Sequence, residues 1–424
     1  METTKLIHKK KFVAPKLRFK GFDDNWTLQK LSNFISFTSG YAFDSSEMQS
    51  EKGKYQLIKM SNVYKSELQL DRSPSYWGEI DAKLEKFLLK KKDILLTLTG
   101  TVGKMDYGYS VVIPEDNKFL INQRLVCLRF IPNISDGDFI NNLIKTSRFY
   151  YLFFGESKGG TGNQTNVGSE DLKNIKLNIP SLTEQQKIAG FLLAVDEKIQ
   201  LLNRKKQLLE QYKRGLLQQL FSGKLRFKDD NGKAYPKWEK RKMSSVLFEH
   251  KLKSTGKEEV FSVSVHKGLI NQVEHLGRVF AAKNTDNYNL VKPHDVVYTK
   301  SPTGDFPLGI IKQSKLNKNV IISPLYGVFT PETPGLGYLL NVYFETPLNV
   351  TNYLASIIQK GAKNTINITN TTFLSKEMLL PLAKDEQNKI GNFLKELDNR
   401  INLLNLEISQ SQTFKKGLLQ QMFV

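Results

Sequence analysis

Apolar residues recur every seven positions through residues 184–221. Ile188, Val195, Leu202, Leu209 and Leu216 form one row, and Leu192, Ile199 and Leu220 a second row four residues on. A seam of this kind, sustained over about five heptads, predicts one long helix that needs a partner helix. The pattern returns in residues 386–423, with Ile390, Leu397, Leu404 and Leu418 in the first row and Leu394, Ile401, Ile408 and Met422 in the second. The two stretches align without a gap at a shift of 202 residues: Lys187 with Lys389, Asp196 with Asp398, Ile199 with Ile401, Gly215 with Gly417. Phe191 and Phe393 flank the seams at matching positions and count with them as helix–helix and docking residues. Lys206, Lys213 and Ser411 interrupt the seams and read as register devices or snorkelling rim residues. Helices that merely pack on their own domains are the simpler alternative, but those usually run about 8–20 residues.

The repeat reaches beyond the helices. KLRFKGFDDNW (16–26) returns as KLRFKDDNGKAYPKW (224–238) just after the first helix. Lys92-Asp93-Ile94-Leu95 is echoed by His294-Asp295-Val296-Val297, and the loop 159–167 by 361–368. Each loop precedes a strand-like segment ending in proline, at Pro180 and Pro381. Short Val, Ile and Leu runs punctuated by Gly, Asn and Pro predict mixed α/β domains. The expected class is α+β, with an N-terminal arm and first domain over 1–179, a helix over 180–222, a second domain over 223–380 and a second helix over 381–424. Helices and lead-ins are alike while the interiors differ, as in one scaffold carrying two different heads. A helix over 184–221 is about 57 Å long at 1.5 Å per residue. Antiparallel pairing lets one compact domain join the end of the first helix to the start of the second, under an internal pseudo-twofold axis. Parallel pairing would force that domain's two ends a full rod length apart.

Charge changes the picture. Lys and Arg number 62 against 42 acidic residues, a net +20 that points to a polyanionic partner, nucleic acid first. The single cysteine, Cys127, forbids an internal disulfide and suits a reducing, cytoplasmic setting. It lies in a strand-like run and reads as a buried residue. No apolar run approaches a membrane span, and residues 1–20 are basic without a hydrophobic core.

Catalytic motifs fail one by one. No Pro-Pro occurs, so the tetrapeptide with which an amino-methyltransferase holds a flipped base is missing. Gly100-Thr101-Val102-Gly103-Lys104 has Leu98 where a phosphate loop needs its first glycine. Gly160-Thr161-Gly162 lacks the third glycine of a dinucleotide fingerprint and follows no strand–helix start. Glu156-Ser157-Lys158 with Asp138 upstream resembles a metal-dependent nuclease pattern, yet Glu and Lys are common throughout this chain. Five histidines show no paired metal spacing, and one cysteine cannot build a zinc site.

Reading DNA needs Arg, Lys, Asn, Gln, Ser or Thr on loops that reach base edges. In the first domain the candidates are Lys59, Ser61 and Asn62; Thr97, Thr99, Thr101 and Lys104; Asn122, Gln123 and Arg124; and Lys158, Thr161, Asn163 and Gln164. In the second they are Thr299, Lys300, Ser301 and Thr303, then Lys360, Lys363, Asn364 and Asn367. Each loop could equally be an ordinary solvated turn. Arg124 with Gln123 is the best single candidate, since Arg on guanine is the commonest specific pairing.

The lead-in KLRFKGF…W, the strand and loop before NIPSLTEQQKIAGFL, and the tandem layout resemble a type I restriction–modification specificity subunit along the entire chain. The resemblance implies two target-recognition domains joined by two long helices of shared sequence, reading a bipartite double-stranded DNA target. It also implies docking of methyltransferase and restriction subunits. S-adenosylmethionine, Mg and ATP then belong to those partners, adenine is the methylated base, and this chain holds no cofactor and catalyses nothing. Two copies of the helix motif predict two methyltransferase subunits per chain. Heads that differ predict half-sites that differ, at least one helical turn (roughly 34–36 Å) apart. The competing readings are a coiled-coil adaptor whose charge serves solubility, and the recognition subunit of another restriction type.

Overall fold

The computed structural model describes residues 13–51, 53–159, 163–273, 285–360 and 366–424, without the side chains of 359, 360 and 367. Contacts divide the chain into two units, Met1–Leu202 with Glu407–Val424, and Asn203–Leu406. Two long helices, Leu182–Phe221 and Lys384–Gln421, each contribute one part to each unit.

The first unit is built on a four-stranded antiparallel sheet in the order Ile35–Ser39, Leu125–Phe130, Ile94–Thr97, Ser110–Val112. Its central strands are continuous apolar runs because both faces are covered. The period of two sorts them. Ile94, Leu96, Val126 and Leu128 enter one core with Trp26, Phe139, Phe149 and Phe153. Leu95, Leu125 and Cys127 enter a second core with Leu57, Ile58 and Leu120, which belong to a three-stranded sheet. Cys127 is free and buried, and burial raises its thiol pKa far above the usual range.

The second unit repeats the plan. Leu247–Phe248, Gly327–Pro331, Val296–Tyr298 and Ile311–Gln313 form the corresponding sheet. Val296, Tyr298, Ile311 and Phe329 face one core, and Val297 and Val328 face another. The sequence echo at Asp93 and Asp295 has a local cause. Each carboxylate accepts a 2.7 Å bond from the backbone N–H three residues earlier, at Lys90 and Lys292. Lys92 and His294 between them both take φ of 70°, closing the same turn into the central strand.

Lead-in and helix meet in the same joint in each unit. Thr27–Lys30 pairs antiparallel with Lys176–Ile179, and Glu239–Lys242 with Glu377–Leu380, so each domain's first strand lies beside its last. Arg18 donates to buried Glu184 at 2.7 and 2.8 Å; Arg226 donates to buried Glu386 at 3.1 Å. Both glutamates sit in the first turn of a long helix, where the dipole favours a negative charge. Phe19 packs edge-on against Phe191, and Phe227 against Phe393. The two phenylalanines counted with the seams therefore also clamp the lead-ins.

The helix segments run antiparallel within each unit. In the first, Lys415 donates to Asp196 at 2.6 Å, Lys198 lies 3.4 Å from Glu407, and Ile188 and Leu192 share a core with Leu418 and Met422. In the second, Lys213 donates to Asp398 at 2.6 Å, and Leu216 and Leu220 share a core with Ile390, Leu394 and Leu397. The two ion pairs are copies of one another at the 202-residue shift. Lys213 is thus a register device: burial opposes its charge, yet Glu345 and Asp398 together hold its pKa above the ordinary value. Ile401 and Leu404 are also buried, whereas Val195, Ile199, Leu202 and Leu209 are half-buried.

Candidate nucleic-acid interface

Four loops of the first unit, far apart in sequence, are joined by backbone hydrogen bonds. Asn122 N–H donates to Ile58 O at 3.0 Å, Leu98 N–H to Arg124 O at 3.3 Å, Val167 N–H to Leu98 O at 3.0 Å, and Val102 N–H to Asn163 O at 3.3 Å. Thr99–Thr101 forms the edge of a three-stranded ribbon with Gln164–Val167 and Ser157–Gly159, placing Thr101 opposite Gln164 and Thr99 opposite Asn166. Residues 97–104, 157–159 and 163–166 are therefore one surface element.

Within it the candidates separate by exposure. Lys104, Gln123, Arg124, Lys158, Asn163 and Gln164 are exposed, and Lys59, Ser61, Thr99 and Thr101 are half-buried. Arg124 takes φ of 70° in the turn leading into Leu125–Phe130, which suits a side chain projecting from a tight corner. That corner is fixed from below, since a Cβ at Gly40 would lie 1.9 Å from the Asn122 carbonyl oxygen. Lys158 is tied to Asp171 at 2.6 Å, which raises its pKa. Lys59 reaches Ser75 Oγ at 2.7 Å. Thr101 bonds Asp106 through its N–H (2.8 Å) and hydroxyl (2.7 Å), and these bonds lower the Asp106 pKa.

Four expected contact residues are interior instead. Asn62, Thr97, Asn122 and Thr299 are all at most 6% exposed. Asn62 spends its amide on Gln69 O and Arg72 O and accepts from Lys59 N–H. Thr97 and Thr299 each accept a 3.0 Å bond from a backbone N–H, of Tyr109 and Ile310. Asn122 accepts from Gln123 N–H at 2.6 Å. These side chains hold the loops in shape, and burial removes them from any DNA surface.

In the second unit Thr303 is exposed, Ser301 is half-buried, and Lys300 is half-buried with its pKa lowered by burial. Gln359–Lys360 and Ile366–Asn367 pair antiparallel at the positions matching the first unit's outer hairpin, which locates Lys360 and Asn367 on its strands. Thr161, Lys363 and Asn364 lie outside the described residues.

The nuclease-like pattern does not assemble. Lys158 pairs with Asp171, and Asp138 with Lys92 at 2.9 Å. Among the described residues no group of His, Cys, Asp and Glu is arranged to hold a metal ion, and no helix is long and apolar enough to cross a membrane. The helices present a second surface that the heptad rows did not reveal. Leu201 and Phe414 of the first unit are 70% and 56% exposed, and their copies Leu403 and Tyr212 in the second are 65% and 53% exposed. These exposed apolar residues recur at the same positions of the two helices.

Comparison with known proteins fits these features. The family model described as the type I restriction modification DNA specificity domain matches residues 23–211. The match covers the first head and most of its helix. The crystal structure of the type I restriction-modification system S subunit from M. genitalium shares 16% identity, covers 97% of this chain and 99% of its own, and superposes with a TM-score of 0.56. At that identity the likeness establishes a common fold over nearly the whole chain. The HsdS subunit from Thermoanaerobacter tengcongensis is 14% identical, with coverage of 95% and 97% and a TM-score of 0.45. A chain from a structure on complex assembly and conformational transition of the type I R-M system is 13% identical, with coverage of 95% and 97% and a TM-score of 0.48.

Proposed function

We propose that this chain is the specificity subunit of a type I restriction–modification enzyme and reads a bipartite, asymmetric DNA target. The observation that carries this reading is the contrast between joints and surfaces. The lead-in clamps and the helix ion pairs are copied at matching positions, while the exposed loops of the two heads differ. A net charge of +20 and the specificity-domain match over residues 23–211 support DNA as the partner. Each head reads one half-site, and the helices set the unread spacing between them.

The chain supplies target choice and no chemistry. Methyltransferase subunits, with S-adenosylmethionine, dock on the helices, and restriction subunits complete the enzyme in the cytoplasm. Leu201 with Phe414, and Leu403 with Tyr212, offer two alike docking surfaces, so two methyltransferase subunits bind per chain. The light-scattering mass of the assembled complex checks that count, and one or four partners would refute it. The reading as a whole is tested by DNA binding of the complex. Binding should favour one split sequence and weaken steeply with salt. An adaptor whose charge serves solubility would show neither property.

A further inference from the structure

One surface of the first head is left unexplained by the loops. Met105, Tyr107, Tyr109, Tyr150, Tyr151 and Phe154 line an open groove of about 530 Å³ whose walls carry no charge. Met105 and Tyr151 are 75% and 73% exposed, far more than packing a core would require. The groove is continuous with the ribbon, because the loop ending at Lys104 runs directly into Met105. Tyr107 donates its hydroxyl to Ser157 at 2.7 Å, and a Cβ at Gly100 would lie 2.3 Å from the Tyr107 ring. Cations lie close by. Tyr64 packs edge-on against Tyr109, with Arg72 and Lys65 5.0 and 5.3 Å from the Tyr64 ring centre, and Lys104 and Arg148 are exposed nearby in sequence.

Uncharged aromatic faces beside cations are the combination that binds an unstacked base and its flanking phosphates. An exposed methionine is also among the side chains that wedge base steps apart. We propose that this groove receives a single nucleobase unstacked from the target duplex, with Met105 as the wedge and Lys104 and Arg148 at the phosphates. The proposal rests on the DNA-reading function above. It assigns the pocket to the first head alone, since the residues at the matching places of the second fold are Phe306, Leu308, Ile310, Val350, Thr351 and Leu354, with no tyrosine or methionine among them and Phe306, Ile310, Val350 and Leu354 buried.

The test uses the full chain assembled with its methyltransferase subunits, and two probes at one salt concentration. One is a fully paired duplex, and the other is the same duplex with a single bulged thymine. Fluorescence anisotropy should show about ten-fold tighter binding of the bulged probe, the scale of one base stacked on aromatic rings. Met105→Ala and Tyr151→Ala should each abolish that preference, weakening the bulged probe about ten-fold and the paired duplex by less. A 5-iodouracil at the bulge should crosslink to Tyr150 or Tyr151. Equal wild-type affinity for both probes would overturn the proposal, as would variants that weaken both equally. Variants that keep DNA but release the methyltransferase would make the groove a protein socket and also overturn it. If neither probe binds in a salt-dependent way, the specificity reading itself fails, which is a separate outcome.

Discussion

The two units answer the same mechanical problem alike and the recognition problem differently. Each begins with an arginine gripping a buried glutamate in the first turn of a long helix, and each sets its helix register with one lysine–aspartate pair. The surroundings of those pairs are inverted. Lys213 has Glu345 beside its aspartate, whereas Lys415 has Lys145 near its aspartate. The surfaces diverge further, with an aromatic groove on one head and no matching residues on the other. A duplicated scaffold whose joints stay fixed can change its readers independently. That is what a protein needs if its target is to change while its partners do not.

The sharpest way to break the comparison is at the seam. Leu404→Asp places a charge at a site 6% exposed, and should cost roughly 3–5 kcal/mol in urea denaturation and abolish partner assembly. Its copy Leu202→Asp, starting half-buried, should cost less. Equal costs would mean the copies pack alike after all. Next come the clamps. Glu386→Ala strands both Arg226 and the Trp238 indole N–H, which donates to it at 3.1 Å, and should cost roughly 3–5 kcal/mol. Glu184→Ala strands Arg18, while the Trp26 indole has no bond to lose among the described residues, so its cost should be about 1 kcal/mol smaller. Arg124→Ala should weaken one half-site by about 1–3 kcal/mol in competition binding and leave the other untouched. An effect on both halves would remove Arg124 from base reading.

The smallest effect concerns Lys145. Burial, then Lys415, push its pKa down to about 8, with Asp196 opposing. Free lysine titrates near 10.4, so the folded chain loses this proton first, and stability rises with pH between roughly 8 and 10.4. Below that window the full penalty for a buried charge remains. Lys145→Met should therefore raise stability by about 1–2 kcal/mol at pH 7, with the gain fading above pH 8 in thermal melts. The second head has Glu345 at the matching position, just before the helix N-cap, and there a carboxylate pairs with Lys213 at 2.9 Å.

The helices were legible because a heptad seam is a local signal, and the observed ends, Leu182–Phe221 and Lys384–Gln421, fall within a few residues of the expected ones. The clamps were visible only as the repeated KLRF and EQ strings, with nothing in the sequence to say that Arg18 meets Glu184. Contacts across 166 residues depend on how the domain closes. The candidate loops were found as polar turns, but polarity cannot separate a side chain facing water from one bracing the turn. Asn62 and Thr97 look like Ser61 and Thr99 in sequence and differ only in which way the backbone points them. The aromatic groove escaped for a related reason: Met105 and Tyr151 become neighbours only through folding, and each alone reads as an ordinary surface or core residue.

The central claim is that two unlike readers share one frame, and mapping methylated bases in DNA from cells carrying the chain and its partners tests it most directly. The account predicts one split sequence with unlike halves and a fixed unread spacer, which grows when both helices are lengthened while the read bases stay the same. A continuous or palindromic site, or a spacer indifferent to helix length, would contradict it.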